Sequence, residues 1–464
     1  EGGNVFKDRI RVGVGITLAI RSSAHHERRC FYNRVPDYWK AEQKLEYLKA
    51  PADADGRLNA LRWSLITPNP KHTWLIGQSL NEFETLIALG TKATKKSKET
   101  SVEAIFKIFS SGVKTNRDAV VYQFDREQLI DGVQKMGEAY NIEIFRYQRA
   151  GKPKDVDNFV RYEQIKWSRD LKLDLVRGNY AEFSEVKVRS SVYRPFSKRF
   201  LFFDRVLNEE VYVFPRIFPT VATEQENRVI CVSGIGSNKP FHTLMSDLIP
   251  CLDILEKTQC FPFYTYNEDG SNRRENITDW ALKQFQDHYH DSTISKWDIF
   301  YYVYGVLHHP AYREKYADNL KRDLPRIPYL SDFRQVSAIG SQLADLHLNY
   351  ETIAPYDLQY VWKPDRPASY RVEKLRLNSD RDAITVNDSL TLRGIPSAAF
   401  DYRLGNRAAL EWIIDQYQVK KDDRSGIVSD PNRYSDDPQY IVKLIGRVTQ
   451  VSLETMRLIT QLPE

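Results

Sequence analysis

The sequence predicts an α+β protein of several subdomains, with a β-rich centre, flanking helices and a helical C-terminal part. Three stretches carry that prediction. Residues 185–218 (EVKVRSSVYRPFSKRFLFFDRVLNEEVYVFPRIF) crowd β-branched and aromatic residues between basic ones. Val186 and Val188 there stand at the two-residue spacing of a strand, with Pro195 and Asn208 as breaks. From Ile277 the apolar spacing turns helical, and it does so again after residue 400. At 464 residues, 42% hydrophobic and 28% charged, the chain can bury large cores in two to four domains or subdomains.

The central stretch also suits a second role. Tyr193, Phe196, Phe200, Phe202, Phe203, Tyr212 and Phe214 stand beside Arg189, Arg194, Lys198, Arg199, Arg205 and Arg216. A sheet rim of arginines and exposed rings can hold nucleic acid, with guanidinium groups on phosphates or guanine edges and rings stacked or wedged. An ordinary β-rich core with solvated charges explains the same composition. The balance of 67 Lys+Arg against 62 Asp+Glu leaves only +5, so any basic face must be local. Cys30, Cys231, Cys251 and Cys260 are scattered without a CxxC pair, which supports neither a zinc ribbon nor a disulfide framework. No apolar run approaches the roughly 18 residues needed to span a membrane, and a cytoplasmic location is the expectation. The chain starts at Glu1 without Met and reads as cut from something longer.

Taken in order, Asn4–Phe6 and Val12–Arg21 read as strands. Gly13-Val14-Gly15 is no dinucleotide loop, because strand-like ITLAI follows it where a helix N-terminus is needed. Residues 36–49 hold Pro36-Asp37 and Glu42-Gln43-Lys44, superficially a nuclease carboxylate–lysine set. The spacing is too short for a strand pair, and Leu45 and Leu48 favour a helix with Pro near its start. Helical spacing spans 80–89, a lysine-bearing polar loop 91–101, and a tight basic loop 112–118. Residues 126–149 read as helix and 151–158 as a linker. Arg228–Val232 is a strand running into GIGSNKPF (234–241), which lacks the GK[ST] of a phosphate-cradling loop; 259–272 is a strand and turn.

Helices are expected over 277–289 and 295–307, closed by His308-His309-Pro310, then over AYREKYADNLKRDL with Tyr312, Tyr316 and Leu320 as a core stripe. The adjacent histidines point apart, which suits a helix C-cap better than a metal. Two helices follow within 331–348. YRVEKLRL (370–377) and AITVNDSLTL (383–392) read as an antiparallel pair, and helices over 407–419, 439–447 and 452–460 close the chain, with Trp412 and Tyr417 suited to packing. The subdomain reading is 26–180 mixed, 181–275 β-rich, 276–350 helical and 351–464 α/β.

Several segments together resemble the C-terminal region of Type ISP restriction-modification enzymes and related large adenine-N6 DNA methyltransferases with fused helicases. They are FSSGVKTNRDAVVY (109–122), IKWSRDLK (165–172), SVYRPFSKRFLFFD (191–204), DIFYYVYGVLHHPAYREKYADNLKRDLPRIP (298–328), LADLHLNYE (343–351) and the run 390–432. The resemblance implies a target-recognition region, with residues 1–25 as the last strands of a methyltransferase sheet. S-adenosylmethionine, ATP and Mg²⁺ are implied for the full-length parent and not for this chain. The chain carries no NPPY-type tetrapeptide and no GxxxxGK[ST], so by itself it is expected neither to transfer methyl groups nor to hydrolyse ATP.

The implied partners are double-stranded DNA and the upstream methyltransferase and helicase domains. Reading a site asks for Arg and Lys on guanine and Asn and Gln on adenine; holding the duplex asks for phosphate contacts. The loops offer Lys114, Thr115, Asn116 and Arg117; Arg194, Lys198 and Arg199; Ser237, Asn238 and Lys239; and Asn272, Arg273 and Arg274. No acid pair or nucleophile–base set stands out as catalytic. The alternative is a docking domain that couples the parent's other parts without reading bases.

Overall fold

In a computed structural model, residues 15–21, 27–35, 39–49, 63–67, 80–91 and 102–463 are described, with Ser23 and Thr94. The chain divides into two compact units between Asn81 and Glu82. In the first, Cys30–Tyr32 pairs antiparallel with Ser64–Ile66, and the Ala41–Lys49 helix carries Tyr47, whose hydroxyl accepts from Asn33 Nδ2 at 2.9 Å. Residues 4–14, Pro36 and Asp37 lie outside the described residues. The stretch 15–21 is exposed and forms no strand.

The second unit is built round the 188–202 hairpin. Val188–Arg194 and Ser197–Phe202 pair antiparallel, joined by Pro195-Phe196 with Phe196 in the left-handed region. Residues 185–187 form a 3₁₀ turn instead of extending the strand. Ile249–Pro250 adds in parallel on one side and Tyr122–Gln123 antiparallel on the other. The Arg126–Arg149 helix, as expected from its spacing, buries Leu129, Val133, Met136, Tyr140, Ile144 and Tyr147. Its first turn is held by Asp125, whose carboxylate accepts the Glu127 and Gln128 amides. A second sheet orders Ser110–Ser111, Gln259–Pro262, Val229–Val232 and Thr243–Ser246, every residue buried. A third orders Gln359–Trp362, Leu390–Arg393, Ala383–Thr385 and Arg376–Leu377. The segment 383–392 is thus two strands of a hairpin.

Several helix boundaries differ from those expected. Residues 80–89 split into the Leu80–Thr85 helix and the Ile87–Ala88 strand. Residues 310–322 form two short helices, Pro310–Lys315 and Ala317–Arg322, meeting at Tyr316. Their stripe still holds, with Tyr312, Tyr316 and Leu320 all buried. Phe333–Leu348 and Tyr440–Ile459 are single helices where two were expected in each place. Gly340 and Gly446 lie inside these continuous helices at close packing contacts, where a Cβ would meet Tyr301 and Tyr356 backbone oxygens. Arg407–Ala408 pairs with Arg403–Leu404, so the next helix begins only at Ala409.

The Lys296–His308 helix crosses Phe333–Leu348 at two glycines. A Cβ on Gly305 would sit 2.7 Å from the Val336 carbonyl oxygen, and one on Gly340 would land on the Tyr301 carbonyl. Gly340→Ala is therefore expected to cost about 3 kcal/mol of unfolding free energy, read by urea denaturation.

Four histidines are buried in this unit. The Tyr304 hydroxyl accepts the Met245 amide and donates to His347 Nδ1 at 2.7 Å, and His347 Nε2 donates to Thr455 Oγ1. His308 Nδ1 donates to the Tyr304 carbonyl and His242 Nδ1 to that of Pro240. His309, at the helix C-cap, turns away to the Pro463 carbonyl. Burial, with Arg313 nearby, drives His242 and His347 down to about 3, and burial pushes His308 well below its usual range. Neutral when folded, they charge on unfolding below the ordinary histidine range. Their contribution is complete above about pH 6.5 and falls away towards pH 3, by about 2 kcal/mol for each of His242 and His347 at pH 5. Denaturation midpoints between pH 7 and 5 should show it, and His347→Gln should flatten the slope.

Candidate nucleic-acid interface

The loop after Ser111 is pinned from inside. Val113 pairs with Cys251, and Lys114 exchanges backbone hydrogen bonds of 2.9 Å with Glu210. The Thr115 hydroxyl donates to Asp118. Arg117 is 3% exposed; its Nε donates to the Leu207 carbonyl at 3.0 Å and Nη1 to Ser168 Oγ at 2.9 Å, with Nη2 3.8 Å from Glu209. Burial lowers the Arg117 pKa, opposed by the Glu209 charge. Lys114 and Asn116, the latter at φ +57°, stay half-exposed.

The central hairpin is interior where a rim was expected. Phe196, Phe202 and Phe214 are buried, and so is Arg189, ion-paired with Glu224. The Tyr193 ring has Arg194 at 4.1 Å and Arg199 at 4.0 Å, while its hydroxyl donates to Asp118 at 2.8 Å. Arg199 also lies 4.5 Å from the Phe124 ring, and burial lowers its pKa. Lys198 reaches Glu351 at 2.6 Å. Neighbouring elements cover most of the hairpin, and rings and carboxylates within the fold match Arg189, Lys198 and Arg199, while Arg194 stays half-buried. Tyr212 and Arg205 remain at the surface, the latter paired with Glu268.

The loop 234–241 is different. Ser237 is buried and donates to Glu256 at 2.7 Å, and Lys257 Nζ donates to the Gly236 carbonyl. That leaves Asn238 exposed and Lys239 half-exposed, the latter with no carboxylate partner among the described residues. Against this loop folds the 403–408 hairpin, whose Gly405 (φ +72°) is needed twice over. Its backbone is left-handed, and a Cβ would stand 3.2 Å from His242. Trp412 donates from Nε1 to the Leu404 carbonyl, under Arg407 at 5.0 Å and Lys239 at 5.9 Å.

Between loop and hairpin lies an open groove of about 500 Å³, lined by Arg194, Lys239, Asp253, Glu256, Asn406, Arg407, Trp412, Asp415 and Gln416. Glu256 is engaged by Ser237, and Asp415 is 3.0 Å from Arg407. The groove thus unites Arg194 and Lys239, two expected candidates, with Asn406, Arg407 and Gln416, which sequence reasoning missed, and with Trp412, read there as packing. Nothing local marks them; only the fold brings residues so distant in sequence beside loop 234–241.

The turn 267–274 forms a separate edge. Asn272 is exposed at φ +54°, Arg273 pairs with Glu226 and lies over Tyr264, and Arg274 donates to Asn267. Among the described residues no cluster of His, Cys, Asp and Glu could hold a metal, and no helix is long and apolar enough to cross a membrane.

This arrangement, a rigid mixed scaffold presenting polar loops, is that of a specificity module. Residues 104–444 match the family model described as the Type ISP C-terminal specificity domain, and the chain belongs to that family. It is similar over its whole length to a nuclease-deletion mutant of the Type ISP restriction-modification enzyme LlaGI in complex with a DNA substrate mimic. Identity there is 34%, the TM-score 0.82 and the share of that chain 42%. A DrdV–DNA complex matches at 37% identity and TM-score 0.81, over 100% of this chain and 45% of that one. The ATP-dependent Type ISP enzyme LlaBIII bound to DNA matches at 30% and 0.79, over 94% of this chain and 28% of that one. The chain thus spans less than half the length of each. No curated protein matches it.

Arg117→Ala would leave Glu209 buried without its cation, and a loss of about 3–5 kcal/mol is expected on denaturation. If Arg117 is an internal anchor, the folded fraction should keep its ligand affinity.

Proposed function

We propose that the chain is the DNA target-recognition domain of a Type ISP-like restriction-modification enzyme. The observation that carries this reading is the match of the whole chain, at 34% and 37% identity, to enzymes solved with DNA. The geometry supports a division of labour. Arg117, Arg189 and Arg199 hold the frame, while Lys114, Asn116, Asn238, Lys239, Asn272, Arg273, Arg274 and Arg407 stand where a duplex can reach them. Asparagine amides match the adenine edge, which offers one donor and one acceptor; lysine and arginine take phosphates or guanine.

In this reading the chain follows the methyltransferase domain of a longer parent. The parent's preceding domains use S-adenosylmethionine to methylate adenine at N6, and ATP with Mg²⁺ to drive a helicase. This chain supplies the register on DNA that brings one adenine to that chemistry.

Titrating the chain with duplexes that carry or lack the parent's site tests the proposal. Site-preferring binding is expected, weakening with salt. Lys239→Ala and Arg407→Ala should each reduce the slope of log affinity against log salt by about 1, with little effect on site preference. Asn238→Ala should cost about 1–3 kcal/mol on the preferred site alone if its amide reads a base. Equal affinity for both duplexes would overturn the recognition role.

A further inference from the structure

One face of the second unit is apolar and uncovered. The Arg126–Arg149 helix buries one stripe in the core, yet its outer side carries Ile142, 60% exposed, and Phe145, 58% exposed. A helix with a single partner keeps its far side polar. Gly178, left-handed at φ +78°, ends the Arg169–Arg177 helix and turns the chain back along this one. Asn141 then clamps Ala181, its amide giving one hydrogen bond and accepting another, both 2.9 Å. The clamp sets the Tyr180 ring 5.5 Å from Phe145, and Phe183 stacks on Phe202. Tyr180, Phe183 and Val176 all stay more than a third exposed.

At about 200 Å² for each side chain, these five residues expose roughly 450 Å² of largely apolar surface, in the range of the largest patch on a typical soluble monomer, which is often functional. The face shares no residue with the groove round Trp412.

The relatives indicate what covers it. The nuclease-deletion mutant of LlaGI and DrdV match the whole of this chain over 42% and 45% of their own, so more than half of each lies elsewhere. The family is a C-terminal domain, which puts most of that remainder before it. We propose that the face of Ile142, Phe145, Val176, Tyr180 and Phe183 docks the polypeptide that precedes the specificity domain in the longer enzyme. This rests on the parent proposed above, but not on which loops touch DNA.

Hydroxyl-radical footprinting reads it directly, since it reports the solvent access of individual side chains. Phe145 and Tyr180 should be modified several-fold more slowly in the longer enzyme than in this chain alone. Ile142→Gln combined with Phe145→Gln should leave the melting temperature and DNA affinity of this chain unchanged. In the longer enzyme the same double variant should restore Tyr180 modification. Equal modification in both proteins would overturn the inference. So would protection of Tyr180 in the chain alone by added duplex, which would make the face a DNA contact, or by raised protein concentration, which would make it a self-association surface. Loss of site-preferring DNA binding would instead count against the recognition role and leave the docking face standing.

Discussion

Arginines drawn into the interior set the terms for the rest of this specificity domain. An unpaired guanidinium in a dry core is costly enough that the surrounding fold must be organised to match it. Arg117 is met by Glu209, a carbonyl and a serine hydroxyl, and Arg189 by Glu224. Arg199 has no carboxylate partner among the described residues and lies instead between the rings of Tyr193 and Phe124. Each solution ties together segments far apart in the chain: Arg117 joins loop 112–118 to residues 168 and 207–209, and Arg189 joins the hairpin to the Val221–Glu226 helix.

That wiring has a functional consequence. A domain that reads a sequence must hold its reading groups in fixed positions, or mismatched sites are tolerated by adjustment. Internal ion pairs and ring stacks rigidify the frame, and the glycine crossing of Gly305 and Gly340 locks two helices at contact distance. Polar side chains are then left at turns whose backbones are themselves constrained, as at Asn116 and Asn272 in the left-handed region. The basic residues therefore fall into two populations that composition cannot separate, one holding the fold and the other available to a ligand.

Two surfaces of different chemistry remain. The groove beside Trp412 is polar, with cations and carboxylates in its lining; the face round Phe145 and Tyr180 is largely apolar. A recognition module that must both meet DNA and transmit the encounter to other domains requires two such surfaces.

How much of this was legible in the sequence depends on the range of the forces involved. The Arg126–Arg149 helix, the strand at 229–232, the stripe of Tyr312, Tyr316 and Leu320, and the C-cap role of His309 all follow from local spacing and turn chemistry. The family, too, was legible, because its motifs occur in order along the chain. Tertiary structure decided the rest. Arg199 and Phe196 have the same composition whether they rim a sheet or fill a core, and only the elements folded over them make them interior. Nothing in the spacing round Gly340 and Gly446 shows that their missing side chains make room for facing backbone. Arg407 and Trp412 join Lys239 because a hairpin some 170 residues downstream folds against its loop, and one-dimensional spacing carries no trace of that contact.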